Sequence, residues 1–133
     1  MTIPIHHLHK IASNHIQSVG ANATPEDLIR TIASKVKEGF KIVQFNDVLF
    51  AYHKTGAHLL LTIINGDAPK GYLGALHKFV DFMKRTNVKY MMMYVQDKAS
   101  AYRIAESAGL RNISFKDSDQ TQIDPYIMLA EVS

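Results

Sequence analysis

The chain predicts a mixed α/β fold, one twisted sheet of about six or seven strands with helices on both faces. Three observations carry this. Residues 59–110 run strand, glycine-rich turn, amphipathic segment, strand, short helix, the order of a helical crossover between parallel strands. Val88-Lys89-Tyr90-Met91-Met92-Met93-Tyr94-Val95 hardly alternates, so this strand belongs in the middle of a sheet covered on both faces. Residues 40–67 change to a period of two and are cut by turn residues, as in an antiparallel meander.

The elements follow in order. Residues 4–19 read as a helix with Leu8, Ile11, Ala12, Ile16 and Val19 on one stripe, broken at Gly20. A second helix starts at Thr24, an N-cap type, with Pro25 at the first helical position and Asp27 in an acidic first turn. Leu28, Ile29, Ile32, Ala33 and Val36 give it an apolar face, and Gly39 stops it. Ile42-Val43-Gln44-Phe45 and residues 48–53 flank Asn46-Asp47, a two-residue hairpin turn. Lys54-Thr55-Gly56 turns the chain into the strand of residues 57–64, which should run parallel to residues 88–95. Between them, residues 73–85 place Leu73, Leu76, Val80 and Met83 on one stripe widened by Phe79 and Phe82. Asp97 caps the next helix, whose Ala101, Ile104, Ala105 and Ala108 form a close-packing face. Residues 113–115 and 126–132 read as two last strands joined by a polar segment.

At 133 residues the chain reads as a single domain with room for a core. Apolar residues are 47% and charged residues 20%, an ordinary folded composition. No apolar run approaches the roughly 20 residues of a membrane span, and the N-terminal residues lack the pattern of a signal peptide. The absence of cysteine excludes disulfides, thiolate metal sites and a cysteine nucleophile. Together these point to a cytoplasmic protein. The net charge of +3 suits an anionic ligand, but the scattered lysines and arginines form no dense basic run, so nucleic acid is an unlikely partner.

The turn Asn65-Gly66-Asp67-Ala68-Pro69-Lys70-Gly71 carries the chemistry. Backbone amides at such a loop and at the following helix start favour anions such as phosphates. A turn glycine needed only for positive φ is the plainer alternative. His6 and His9 could share a helical face, but no cysteine or nearby carboxylate completes a metal site. His53, His58 and His77 read as separate sheet and helix positions, and Met91-Met92-Met93 as soft core filling. Asp117, Asp119 and Asp124 lack the spacing of a calcium loop. No nucleophile elbow or paired carboxylates stand out.

This order of elements resembles the GNAT acetyltransferase superfamily over about residues 24–132, most closely in the second half. Residues 97–110, closing on Ala108-Gly109-Leu110, look like the family's fourth helix. The resemblance implies that the strands before and after the glycine loop splay apart, with an acyl-CoA arm in the V and its pyrophosphate on the loop amides. It implies acetyl-CoA or another acyl-CoA as cofactor, bound by Ile63, Ile64, Lys70, Gly71, Tyr72, Leu73 and Gly74, and N-acyl transfer to an amine. A backbone amide near Ile63–Ile64 would polarise the thioester carbonyl.

This sequence departs from the family pattern at three places. The family loop reads Arg or Gln, two residues, Gly, one residue, Gly or Ala. Here Gly71 fits, the basic residue falls at Lys70, and Leu73 replaces the second glycine, with Gly74 one position late. The family's tyrosine that protonates the leaving thiolate falls at Ala105; Tyr102, one turn earlier, replaces it only if the helix is rotated or shifted. The pattern is also similar to small GNAT-like bacteriophage proteins, some linked to virion assembly. That similarity implies an alternative, a catalytically silent GNAT-fold module acting through protein partners, as a homodimer or in a larger assembly. Leu73 would then crowd the pyrophosphate.

Overall fold

The computed structural model describes residues 3–20, 22–66, 71–118 and 125–132. Asp67, Ala68, Pro69 and Lys70 of the glycine-rich turn, Asp119 and Asp124 of the polar segment, and the side chain of Val19 lie outside the described residues. The order is α1 (Ile5–Val19), α2 (Pro25–Lys37), β1 (Lys41–Phe45), β2 (Val48–Thr55), β3 (His58–Asn65), α3 (Tyr72–Lys84), β4 (Tyr90–Val95), α4 (Lys98–Ser107), β5 (Arg111–Asp117) and β6 (Tyr126–Glu131).

One mixed sheet of six strands has the order β1-β2-β3-β4-β6-β5. β1, β2 and β3 form the antiparallel meander; Phe45 pairs with Val48 across Asn46-Asp47. Asn46 takes φ 54, a left-handed conformation that asparagine tolerates. β3 and β4 are parallel, joined through α3. β4 is central, paired antiparallel to β6 on its other edge.

Sheet alternation sends side chains into two cores. Val48, Phe50, Leu59, Leu61, Met91 and Met128 pack with Leu76, Phe79, Val80 and Met83 of α3 and Ala105 of α4. Phe50 stacks on Phe79 with ring centroids 4.5 Å apart. On the opposite face, Leu49 and Ile64 pack with Ile11 of α1 and Ile32 of α2. Helices therefore cover both faces, but unevenly: α1 sits on β3 and α2 on β1. Met92 and Tyr94 of β4 are consequently only half-buried on that side, contrary to the two-sided cover the apolar run predicts.

The helix ends behave as the sequence dictates. Thr24 Oγ1 accepts from the Asp27 amide at 3.2 Å and Asp27 Oδ2 accepts from the Thr24 amide at 3.2 Å, a reciprocal cap. That capping, with Arg30 beside it, holds the Asp27 carboxyl below its ordinary value. The expected α2 face is only partly used: Ile32 is buried, whereas Val36 is 50% exposed, because α2 leans on α1 and an edge strand rather than on the sheet centre.

Leu73 likewise leaves its predicted stripe and is 41% exposed. The buried arc of α3 centres on Leu76, Phe79 and Met83, and Tyr72 lies on it; one residue further, Leu73 has turned about 100° away.

Gly66 is a site of close approach. Its amide donates to the Asp47 carbonyl at 2.9 Å, and a Cβ there would meet that oxygen at 2.8 Å and Ile11 Cα at 2.9 Å. Gly74 is different. It lies inside α3 and an added Cβ meets only Asn46 Nδ2, at 3.8 Å. Thermal unfolding should separate the two: Gly66→Ala is expected to destabilise by about 1–3 kcal/mol through backbone displacement. Gly74→Ala is expected to stabilise by about 0.5–1 kcal/mol through helix propensity.

Candidate active site

The site arises where two strands part. The β3–β4 ladder runs from His58–Tyr90 to Leu61–Met93 and ends there. β3 continues beside β2 to Asn65, while β4 continues beside β6 to Val95. The strands open into a V, and a cleft of about 970 Å³ passes between them.

The direction of each peptide group in this stretch follows from strand alternation. Ala57 at the start of β3 turns its carbonyl toward β4, accepting from Lys89 and Tyr90. With a period of two, Leu59, Leu61 and Ile63 address β4, whereas Leu60, Thr62 and Ile64 address β2. Ile63 lies past the last β3–β4 pair, so its amide faces the gap. Ile64 pairs with Leu49 and buries its side chain under α1. Of the two residues expected to polarise a carbonyl, only Ile63 is turned the right way.

The two sides of the cleft differ. On the α3–α4 side the wall is Leu61, Met91 and Met93 from the strands with Leu76, Ala101 and Ala105 from the helices. Small residues on α4 leave that channel open. On the α1–α2 side the lining includes His15, Lys35, Glu38, Phe40 and Tyr94. No helix among the described residues is long and apolar enough to cross a membrane.

Tyr72 enters the cleft at the start of α3, and burial pushes its phenol up to about 12. Among the described residues the α3 N-terminus has no side-chain cap: Gly71 occupies the N-cap position with φ −91 and ψ −7. The amides of Tyr72, Leu73 and Gly74 therefore lack intrahelical acceptors and carry the positive end of the helix dipole. Gly71 is held in place by the Asn46 side chain, whose Nδ2 donates to its carbonyl at 3.3 Å while Lys78 donates to Oδ1 at 3.1 Å.

Several expectations change accordingly. The positive-φ role for Gly71 is overturned, because its conformation is open to any residue. Gly74 is a helical residue rather than part of the turn. Ile63 and Tyr72 meet in the cleft; Gly71, Leu73 and Gly74 stand at its α3 end, and Lys70 lies outside the described residues. Ala105, the position at which the resemblance puts a tyrosine, is buried on the cleft wall. Tyr102 does not substitute for it: the side chain is 43% exposed, with Glu106 beside it raising its phenol.

His15 is the residue that sequence reasoning missed. Its Nδ1 accepts from the Asn65 amide at 3.2 Å and lies 3.3 Å from the Asn65 carbonyl. Asn14 next to it donates to the Gly66 carbonyl at 3.2 Å. The usable sequence signal was its place on α1 beside the Ile11–Ala12 stripe, one turn further on.

The other histidines lie elsewhere. His9 pairs with Glu26 at 3.2 Å, His53 lies against Phe40, and His58 stacks on Tyr90. No group of three metal-ligating side chains occurs among the described residues.

Comparison with solved structures places this geometry. The chain is similar to the ribosomal-protein-S18-alanine N-acetyltransferase of Escherichia coli at TM-score 0.64 and 17% identity, covering 100% of this chain and 92% of that one. It is similar to yncA of Salmonella typhimurium, solved with its cofactor acetyl-CoA, at TM-score 0.61 and 10% identity, covering 98% and 89%. It is also similar to a spermidine N-acetyltransferase chimera of Vibrio cholerae SpeG and hSSAT, at TM-score 0.59 and 10% identity, covering 97% and 91%. No family model matches the sequence, and no curated protein does. The fold is the GNAT acetyltransferase fold.

The buried phenol yields a titration test. Its value lies above the ordinary 10.0, so the neutral form is favoured in the fold. This stabilisation is present below pH 10 and is lost as pH rises toward 12. Tyr72→Phe should therefore lessen alkaline destabilisation, by about 2–3 kcal/mol at full ionisation. Urea unfolding as a function of pH reads it: equal alkaline limbs in both proteins would show that Tyr72 is not buried as described.

Proposed function

We propose that this protein is an acyl-CoA-dependent N-acyltransferase, transferring acetyl most simply, to an amine. The carrying observation is the open V beyond Leu61–Met93, with the Ile63 amide on one side and the uncapped α3 start at one end. The apolar α3–α4 wall suits a thin acyl-bearing arm, and the α3 amides suit its phosphates. Acyl-CoA, as substrate, supplies a thioester that is already activated. The acceptor nitrogen adds to its carbonyl carbon, the C–N bond forms, and the C–S bond breaks with the electron pair leaving on sulfur. The Ile63 amide lies where it can stabilise the oxyanion of that step, the largest single contribution a site of this kind makes.

The neighbours named for ribosomal-protein alanine and for spermidine both act on amine nitrogens, which supports an amine, on a small molecule or a protein, as acceptor here. The catalytically silent alternative draws support from Ala105 and the outward Tyr102. An open cleft, with Leu73 turned to solvent instead of into it, weighs against that alternative.

Calorimetric titration with acetyl-CoA tests the proposal, and absence of binding at millimolar cofactor overturns it. Gly71→Val should weaken acetyl-CoA binding at least tenfold, about 1.4 kcal/mol. Because Gly71 has an ordinary φ, the unliganded melting temperature should change little. A destabilised variant with unaltered affinity would remove the α3 start from the site.

A further inference from the structure

We propose that the acceptor is the free N terminus of a peptide, read by His15 through the carbonyl next to its amine. The inference rests on the acyltransferase reading above. His15 lines the α1–α2 side of the cleft, and its partner dictates its tautomer. The Asn65 amide donates to Nδ1 at 3.2 Å, so the neutral imidazole carries its proton on Nε2. That N–H has no acceptor among the described residues, and none of their buried side-chain nitrogens is left without a partner. Nε2 is therefore open at the cleft and presents one fixed donor there. Asn65 lies two residues beyond Ile63 on the same edge of β3, roughly 7 Å along it. An amine cannot satisfy that donor once its lone pair is committed to the acyl carbon. A carbonyl oxygen beside the amine can.

The same bond removes His15 as a base, since its one lone pair already accepts from Asn65. The other described groups of the cleft do not take its place. Asp97 caps α4, accepting from the Ser100 amide at 3.3 Å and hydroxyl at 2.6 Å. Burial keeps the Tyr72 phenol neutral. Glu38 is exposed at the rim, in water rather than against the gap. Lys35, 4.8 Å from the centre of the Phe40 ring, puts a cation on the acceptor side and disfavours a second one. The nitrogen that suits these surroundings arrives neutral. At pH 7 roughly one in ten peptide α-amines is neutral, against less than about one in a thousand alkylamines. A free amino acid fits less well, because its carboxylate holds the proton on its amine. As the neutral nitrogen adds to the thioester carbon, the C–S bond breaks with its electron pair on sulfur. The proton that nitrogen gives up passes through water to the departing thiolate, and the step balances without a protein base.

A panel of acceptors, read by mass spectrometry and by release of free CoA, tests this. Acetyl-CoA is offered with a peptide library randomised in its first two residues, with lysine-bearing peptides blocked at the N terminus, with free amino acids and with butylamine. Peptide α-amines should be acetylated at least about tenfold faster than lysine side chains or butylamine at pH 7, and the gap should narrow as pH rises to about 9. His15→Asn keeps an oxygen where Nδ1 stands, so Asn65 stays engaged, but puts no N–H in the place of Nε2. It should raise the KM for peptide at least about tenfold, about 1.4 kcal/mol, with acetyl-CoA affinity and melting temperature little changed. An unaltered peptide KM in that variant would make His15 structural and overturn the proposal. Equal rates for butylamine at pH 7, or a preference for free amino acids, would overturn it too. Acetyl-CoA binding with no peptide acetylated would overturn this inference alone. No acetyl-CoA binding would overturn the acyltransferase reading and this inference with it.

Discussion

The structure depends on how β3 ends. A strand that leaves its neighbour exposes a row of peptide groups that must find other partners. β3 loses β4 after Leu61 yet runs on to Asn65. α1 supplies what β4 withdraws at Asn65, whose amide donates to His15, while at Gly66 the carbonyl accepts from Asn14 and the amide donates to the hairpin carbonyl of Asp47. This closure is possible only because Gly66 has no side chain where Ile11 presses against it. The cleft is thus a by-product of satisfying backbone groups. Filling it with a continuous β3–β4 ladder would take from His15 the amide that donates to it and from α1 its seat.

The same hairpin holds the other boundary of the cleft. Asn46, in a left-handed turn, reaches from the β1–β2 turn to the Gly71 carbonyl and is itself engaged by Lys78 about two turns up α3. One two-residue turn therefore braces both the end of β3, through Asp47, and the start of α3, through Asn46. The described residues on either side of the glycine-rich turn are fixed from outside it. Among the described residues no side chain caps the positive pole of α3, which is held in place from the hairpin instead.

Much of the fold was legible because its signals are local. Thr24, Pro25 and Asp27 announce α2, Asn46-Asp47 announces the first hairpin, and the apolar run of residues 88–95 places β4 at the sheet centre. The failures are of another kind. Val36 and Leu73 fit a helical stripe by spacing, but spacing does not say how much of the stripe the sheet will cover. Ile63 and Ile64 look alike in sequence, and only the register with β2 assigns one to the gap and the other to the ladder. His15 was hard to see because its partner is fifty positions away, and its place one turn beyond the Ile11–Ala12 stripe does not say what it meets.

The walls of the cleft also decide how strongly its peptide groups act on what lies beside them. On the α3–α4 side the walls are alanine, leucine and methionine, and in such surroundings a fixed peptide dipole acts more strongly than it would in water. The outward peptide groups of β3 past Leu61 are dipoles of this kind, held rigid by β2 on their far side. The apolar wall and the rigid strand edge that faces it thus both follow from the splay of β3 from β4.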